Sequence, residues 1–82
     1  MIEDKVEVIA YSGYRGEEIP KAIILHNERI VVVEILDSWS EEGVDDRVRK
    51  RFFKVKGNDG SLHEIYYGEK EMEWFYKGAG KP

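Results

Sequence analysis

The chain contains no cysteine, no glutamine and no threonine, and it has only two histidines. The lack of cysteine excludes a disulfide framework and any metal site built from thiolates. No apolar run approaches the roughly 20 residues of a membrane-spanning helix, and the N-terminus lacks the basic and apolar pattern of a signal peptide. We therefore expect a soluble, cytoplasmic protein whose stability comes from side-chain packing.

Size and charge narrow the possible classes further. The 82 residues are enough for one domain, and a domain of this size buries only roughly 60–65% of its unfolded surface. The net charge of −4 gives no overall attraction to nucleic acid or to an anionic membrane. Charged residues form 37% of the chain, with twelve Glu, eight Lys and no Gln, and this usage is typical of proteins from thermophiles.

Apolar and polar residues alternate from residue 52 to residue 76. The side chains that share one side of three successive runs are Phe53, Val55, His63, Ile65, Tyr67, Met72, Trp74 and Tyr76. A period of two predicts strands with one face on a core. The segments 57–60 and 68–71 separate the runs, and Gly60 is placed to end a type I turn with a G1 bulge. The resulting registers pair Phe53 and Trp74 with Ile65.

The first half of the chain also predicts strands. Residues 5–11 form one strand, with Val6, Val8 and Ala10 on one face, and residues 12–18 form a loop. Residues 20–26 and 29–37 form a hairpin that turns at Asn27-Glu28. The alternation of apolar and polar residues breaks after Val33, which indicates a β-bulge or a sharp bend before Trp39. Residues 40–50 are polar and predict a long loop.

Together these patterns predict an all-β fold, a five- or six-stranded antiparallel meander bent into an SH3-like or open small barrel. Residues 1–76 would form a single β domain, and residues 77–82 a flexible C-terminal tail. The predicted core contains Ile23, Leu25, Ile30, Val32, Ile35, Trp39, Phe53, Val55, Ile65, Tyr67, Met72 and Trp74.

Several of these residues resemble the pattern of a known family. The pattern runs from Pro20 through Ala22 and Trp39 to the Asp59-Gly60 turn and Trp74, and it covers residues 20–76 approximately. It is similar to that of a family of small uncharacterised bacterial all-β proteins, some relatives of which are associated with DNA-repair polymerase-like proteins. The resemblance implies a small β fold, suggests a nucleic-acid context, and supplies no catalytic residues.

The leading functional hypothesis is protein–protein contact or self-association through an apolar stripe. The stripe consists of Ala22, Ile24, Val31 and Val33, on the side of the first hairpin that faces away from the predicted core. An exposed apolar patch of this kind usually marks a partner surface. In the alternative, the strand at residues 5–11 folds over the stripe as part of a barrel.

The second hypothesis is nucleic-acid binding through the basic segment 47–56. Its candidate residues are Arg47, Arg49, Lys50, Arg51, Phe52, Lys54, Lys56 and Tyr66. Cations around exposed aromatic rings can attract phosphates and stack on bases. In the alternative, Glu64, Glu71 and Glu73 pair with these cations across the strands and form an ordinary solvated sheet face.

Catalytic and metal sites have less support. His63 lies on the predicted inner side near Tyr76, outside any recognisable catalytic motif, and is interpreted as a hydrogen-bonded histidine beside the core. Glu41, Glu42, Asp45 and Asp46 match no calcium loop and are interpreted as an acidic loop. We therefore predict no catalytic residue, no metal and no cofactor. The expected protein is a non-enzymatic binding module.

Overall fold

The structure, a computed structural model, describes residues 4–12, 18–44 and 47–80. In chain order the strands are β1 (Asp4–Ser12), β2 (Glu18–Leu25), β3 (Glu28–Glu42), β4 (Arg49–Gly57), β5 (Leu62–Gly68) and β6 (Glu73–Gly80). Each strand pairs antiparallel with the next, and β6 pairs with β1 to close a barrel. The predicted all-β meander is confirmed, with six strands and a closed barrel. No helix long and apolar enough to cross a membrane occurs in these ranges.

The inner face of the barrel, which faces its axis, forms one apolar core. Its buried side chains are Ile23, Ile30, Phe53, Val55, Ile65 and Trp74, against which Val6, Val8, Ala10, Leu25, Val32, Tyr67 and Tyr76 pack. Ile65 is fully buried and pairs with Phe53, as the alternation predicts. Burial of one such side chain contributes about 1.5–3 kcal/mol. Each of the strands β2 to β6 contributes at least one of these six buried side chains.

The turn between β4 and β5 is the one predicted. The Gly57 N–H donates to the Ser61 carbonyl at 2.9 Å, and Gly60 has a φ of 83°. Glycine adopts this left-handed conformation without the steric cost that a Cβ brings. Val55 accordingly pairs with His63.

The β2–β3 hairpin turns one residue earlier than predicted. His26 and Asn27 occupy the turn with φ values of 51° and 65°, so the prediction of Asn27-Glu28 is wrong. Positive φ at both central residues is the requirement of a type I′ turn, which matches the twist of a hairpin. Ile23 pairs with Ile30 rather than with Val32. Both partners lie on the inner face, so the predicted faces of this hairpin are unchanged.

The β5–β6 hairpin turns one residue later than predicted. Ile65 pairs with Tyr76 rather than with Trp74, because residues 69–72 form the turn. Met72 has a φ of 57°, and its N–H donates to the Gly68 carbonyl at 2.7 Å. Met72 is 74% exposed. Its assignment to the core is therefore wrong.

β3 contains two bulges where one was predicted. The register shifts between Val32 and Glu34, which confirms the slip after Val33, and again between Ile35 and Asp37. Each bulge adds one residue and reverses the alternation. The second bulge therefore turns Trp39 to the outer face, and its assignment to the inner core is wrong.

The strands extend beyond their predicted ends. β3 continues to Glu42 and β4 begins at Arg49, so both ends of the predicted 40–50 loop are strand. β6 continues to Gly80 and pairs Ala79 with His63, so residues 77–80 belong to the barrel rather than to a tail. Residues 13–17 of the predicted 12–18 loop, and residues 81–82, lie outside the described residues.

Candidate functional site

An apolar surface covers the outer side of β1, β2 and β3, where these strands lie side by side. The registers align Ile9, Ala22 and Val31 in one row across the three strands. Directly paired residues share a face of the sheet, so the row forms one surface. We call this surface the β1–β3 face, and its residues are Ile9, Ala22, Ile24, Val31 and Val33.

Four of these residues are those of the predicted stripe. Val31 and Val33 are 40% and 57% exposed, Ile24 is half-buried, and Ala22 is buried between its larger neighbours. β1 pairs edge to edge with β2 instead of folding over it. β1 therefore enlarges the surface with Ile9, which is 41% exposed. The sequence could have assigned Ile9 to this surface, because an apolar residue between the inward-facing Val8 and Ala10 must face outward.

Charged side chains of opposite sign border the β1–β3 face. Glu7 of β1 and Arg29 of β3 both pair across to Ile24, so the three form a second row beside the first. Both charged residues are exposed. The row therefore carries a negative charge at one end and a positive charge at the other.

The basic segment lies mostly on β4, and carboxylates of β3 face it in register. The directly paired residues are Lys56 with Glu34, Lys54 with Asp37, Lys50 with Glu41 and Arg49 with Glu42. The Arg49 and Glu42 side chains approach to 3.9 Å. Opposite charges directly across two strands attract each other. They also reduce the positive potential that β4 presents to a polyanion.

The two remaining basic candidates, Arg51 and Arg47, lie apart from the cations that face β3 carboxylates. Arg51 pairs with Ser40 on the inner face, and its guanidinium lies 5.6 Å from the centre of the Phe53 ring. Arg47 is exposed between β3 and β4 with a φ of 56°. The structure therefore divides the six cations among an outer face, an inner face and a connection.

An aromatic row crosses the outer face of β3, β4, β5 and β6. Trp39, Phe52, Tyr66 and Phe75 pair in register, one from each strand. The ring centres are 5.4, 5.0 and 5.0 Å apart in that order. Trp39 and Phe52 are parallel within 2°. The two outer pairs of the row, Trp39 with Phe52 and Tyr66 with Phe75, are stacked, and Phe52 and Tyr66 pack against each other at a tilt of 34°.

This stacking changes the interpretation of Phe52 and Tyr66. Both lie on the predicted outer side, but they are only 5% and 7% exposed. Their ring faces are covered by the neighbouring rings, and the Lys50 and Lys77 ammonium groups lie 5.4 and 5.1 Å from the Tyr66 and Phe52 ring centres. A nucleic-acid base needs an open ring face on which to stack. The geometry of these two rings favours a packing role.

His63 is buried on the inner face with both ring nitrogens occupied. Nδ1 lies 2.9 Å from the Tyr76 hydroxyl, and Nε2 lies 3.1 Å from Oδ2 of Asp59. The Ser61 N–H and His63 together lower the pKa of Asp59, while burial raises the pKa of Tyr76. A raised pKa makes the tyrosine a poorer nucleophile at neutral pH. The contacts agree with the interpretation of His63 as a hydrogen-bonded histidine beside the core, and the contact to Asp59 also links it to the β4–β5 turn.

The acidic residues near the end of β3 do not form one cluster in the described chain. Glu41 accepts a hydrogen bond from the Trp39 indole N–H at 3.0 Å, and Glu42 pairs with Arg49. Asp45 and Asp46 lie outside the described residues. Within the described ranges, no three His, Asp or Glu side chains converge in a geometry that could hold a metal ion.

Comparisons with protein-family models, curated proteins and solved structures find no match to this chain. The resemblance to the family of small bacterial all-β proteins therefore stays a prediction.

Proposed function

We propose that this protein is a non-enzymatic binding module that self-associates through the β1–β3 face. The observation that carries the proposal is the exposure of Ile9, Val31 and Val33, which lie next to one another on adjacent strands. Monomeric proteins rarely expose contiguous apolar surface of more than a few hundred Å² without a partner for it. Contact with another protein surface would remove these side chains from water.

A second copy of the chain is the partner that the charges favour. Consider two copies packed face to face about a two-fold axis that runs along β2. The axis places Ile9 of one copy against Val31 of the other, and Ala22 against its own equivalent. It also places Glu7 of each copy against Arg29 of the other. The surface is therefore complementary to itself, as a two-fold dimer interface requires.

The expected dimer is weak. A specific interface of standard size buries about 800 Å² on each copy, and the β1–β3 face lies on the convex outside of a small barrel. The charged rim adds little, because exposed ion pairs contribute only about 0.2–1 kcal/mol each. We therefore expect a dissociation constant on the order of micromolar to tenths of millimolar.

The two other classes of function have less support. Catalysis would need an accessible group, whereas both nitrogens of His63 are engaged within the fold. Nucleic-acid binding would need open ring faces and unopposed cations. Instead Phe52 stacks on Trp39 and Tyr66 on Phe75, and Lys54 and Lys56 face carboxylates in register.

The test is sedimentation equilibrium of the wild type and of two matched variants. Val31→Glu places a charge in the β1–β3 face, whereas Val44→Glu makes the same change at a residue outside it that is 94% exposed. We expect the wild type and Val44→Glu to dimerise with rising concentration, and Val31→Glu to remain monomeric with an unchanged far-UV spectrum. Because the contact is mainly apolar, the dimer should persist at high salt. A wild type that stays monomeric at millimolar concentration would overturn the proposal.

A further inference from the structure

β3 is the longest strand, and most of one of its edges has no neighbouring strand within the described ranges. Of its 15 residues, only Glu28 to Val31 pair with β2. From Val32 to Glu42 the strand pairs with β4 along its other edge. An unpaired row of backbone N–H and C=O groups is a template to which an extended segment can add as a further strand.

The side chains of this part of β3 are exposed on both faces of the sheet. Ile35 and Ser38 lie on the inner face, where they pair with the buried Val55 and Phe53. Ile35 is nevertheless 39% exposed, and Ser38 is exposed as well. A strand alongside β3 would cover both side chains. No described strand covers this edge of β3, which is why Ile35 is exposed and its prediction as a core residue is wrong.

The hydrogen bond of the Ser38 backbone agrees with the lack of a paired strand at this edge among the described residues. The Ser38 N–H donates to the carboxylate of Asp37 at 2.9 Å, so a local side chain rather than a neighbouring strand satisfies this donor. The direction of the N–H groups alternates along a strand. The N–H of Ser40 consequently points to the same open edge as that of Ser38.

The aromatic row ends at this edge. Trp39 stacks one ring face on Phe52 of β4, so its other face is directed away from β4, toward the open edge. Glu41 holds the indole N–H at 3.0 Å, and Asp37 lies on the other side of the ring on the same face of the strand. Asp37 and Glu41 each face a lysine of β4, but β3 lies between that strand and the open edge, so a segment added at the edge lies nearer to the carboxylates than to the lysines. A ring face between the two carboxylates therefore favours a cationic side chain, through cation–π and ionic attraction together.

We propose that this edge binds an extended basic segment of another protein as an added strand. We call it the β3 edge site, and it consists of the side chains of Asp37, Trp39 and Glu41 and the backbone of Ser38 and Ser40. Alternate side chains of the bound segment would be Lys or Arg on the outside, over Trp39 and between the carboxylates. The side chains in between would be apolar and would cover Ile35. Recognition of this kind goes beyond self-association and uses a different surface.

A second copy of the chain is a poor occupant of the β3 edge site. Pairing β3 with β3 of another copy would bring the carboxylates of Glu34, Asp37 and Glu41 close to their equivalents. Like charges opposite one another destabilise a strand pair. The acidic edge therefore rejects its own copy and favours a basic partner.

The test is calorimetric titration with an acetylated and amidated heptapeptide, Lys-Val-Lys-Val-Lys-Val-Lys, at two salt concentrations. The protein is the Val31→Glu variant, so that dimerisation through the β1–β3 face does not contribute. Ser40→Pro removes the outward N–H of the edge, whereas Ser40→Ala keeps it and serves as the matched control. Proline is tolerated on an edge strand where its nitrogen faces away from the neighbouring strand. The far-UV spectrum reports whether each variant is folded.

We expect Ser40→Ala to bind the peptide as Val31→Glu alone does, and Ser40→Pro to bind it at least about tenfold more weakly. Replacing the lysines of the peptide by glutamates should abolish binding, and N-methylation of the peptide's alternate backbone nitrogens should weaken it similarly. Equal binding to Ser40→Pro and Ser40→Ala, or no binding of the lysine peptide at low salt, would overturn the proposal. Neither result would affect self-association, which Val31→Glu tests separately.

Discussion

The sharpest test of the two-fold arrangement exchanges the charges at the ends of one row. In the proposed dimer, Glu7 of each copy lies against Arg29 of the other. Glu7→Arg alone would place two cations together at both ends, and Arg29→Glu alone would place two carboxylates together. Mixing the two single variants restores opposite charges at both ends, because one copy then carries two cations and the other two carboxylates.

The magnitude follows from the number and exposure of the pairs. Both side chains are exposed, so each pair contributes about 0.5 kcal/mol. Replacing attraction by repulsion of the same size costs about 1 kcal/mol for each pair, and therefore about 2 kcal/mol for the two pairs of a dimer. A loss of this size corresponds to a dissociation constant about 30-fold higher for each single variant.

The assay is sedimentation velocity of Glu7→Arg, Arg29→Glu and their equimolar mixture at low salt. We expect each variant alone to be mostly monomeric where the wild type is dimeric, and the mixture to dimerise about as tightly as the wild type. The double variant, Glu7→Arg with Arg29→Glu, should also dimerise. A mixture no tighter than its components would refute the two-fold axis along β2 while leaving contact through the β1–β3 face standing.

Four further predictions concern stability. Phe52→Ala should lower the free energy of unfolding by about 3–5 kcal/mol in a urea titration, because the ring is buried between two others; a loss below about 1 kcal/mol would contradict its packing role. Burial raises the pKa of Tyr76 above its usual value of 10.0. The stability that this shift contributes is therefore complete below pH 10.0 and is lost as the pH rises through the pKa of the folded state. Tyr76→Phe should remove this loss of stability at alkaline pH from a pH series of thermal melts. The hydrogen bond from the Ser61 N–H lowers the pKa of Asp59 from 3.8. The stability that this shift contributes is therefore present above that pH and is lost in more acidic solution. Asp59→Asn should reduce the fall of the melting temperature at acidic pH in the same series. Replacing His26-Asn27 by Asn-Gly should stabilise the protein by about 0.5–1 kcal/mol in the same urea assay, because glycine adopts a positive φ without strain.

Most of the fold could be predicted because hydrophobic alternation and turn glycines act locally. The β4–β5 hairpin was predicted residue for residue, since Gly60 follows two turn-forming residues and only one register fits the alternation on both sides. The β5–β6 turn has no such signal. Met72 adopts a positive φ that its side chain disfavours, so nothing local indicates that the turn ends there.

The face of the sheet on which a side chain lies can be predicted along a strand only as far as the first bulge that the sequence does not reveal. One bulge after Val33 was visible as a break in the pattern, but the second fell where Ile35, Leu36 and Asp37 permit either alternation. That second bulge moved Trp39 to the outside and created the aromatic row. The row in turn buries Phe52 on the outer face, which a simple rule of inner apolar and outer polar positions cannot anticipate.

The apolar stripe was predictable because both faces of the β2–β3 hairpin are apolar. Its extent was not, because it depends on which strand lies beside β2. Only the pairing of Ile9 with Ala22 shows that β1 enlarges the surface instead of covering it. The charge row of Glu7 and Arg29 likewise arises from two registers that no single hairpin specifies.

The most direct test of the surface used for self-association is a dilution series in which amide chemical shifts are followed by NMR. Self-association through the β1–β3 face predicts concentration-dependent shifts centred on Ile9, Ala22, Ile24 and Val31, with the residues of the β3 edge site unchanged. Shifts centred on Trp39 and Ser40, or a spectrum that does not vary with concentration up to the solubility limit, would contradict it.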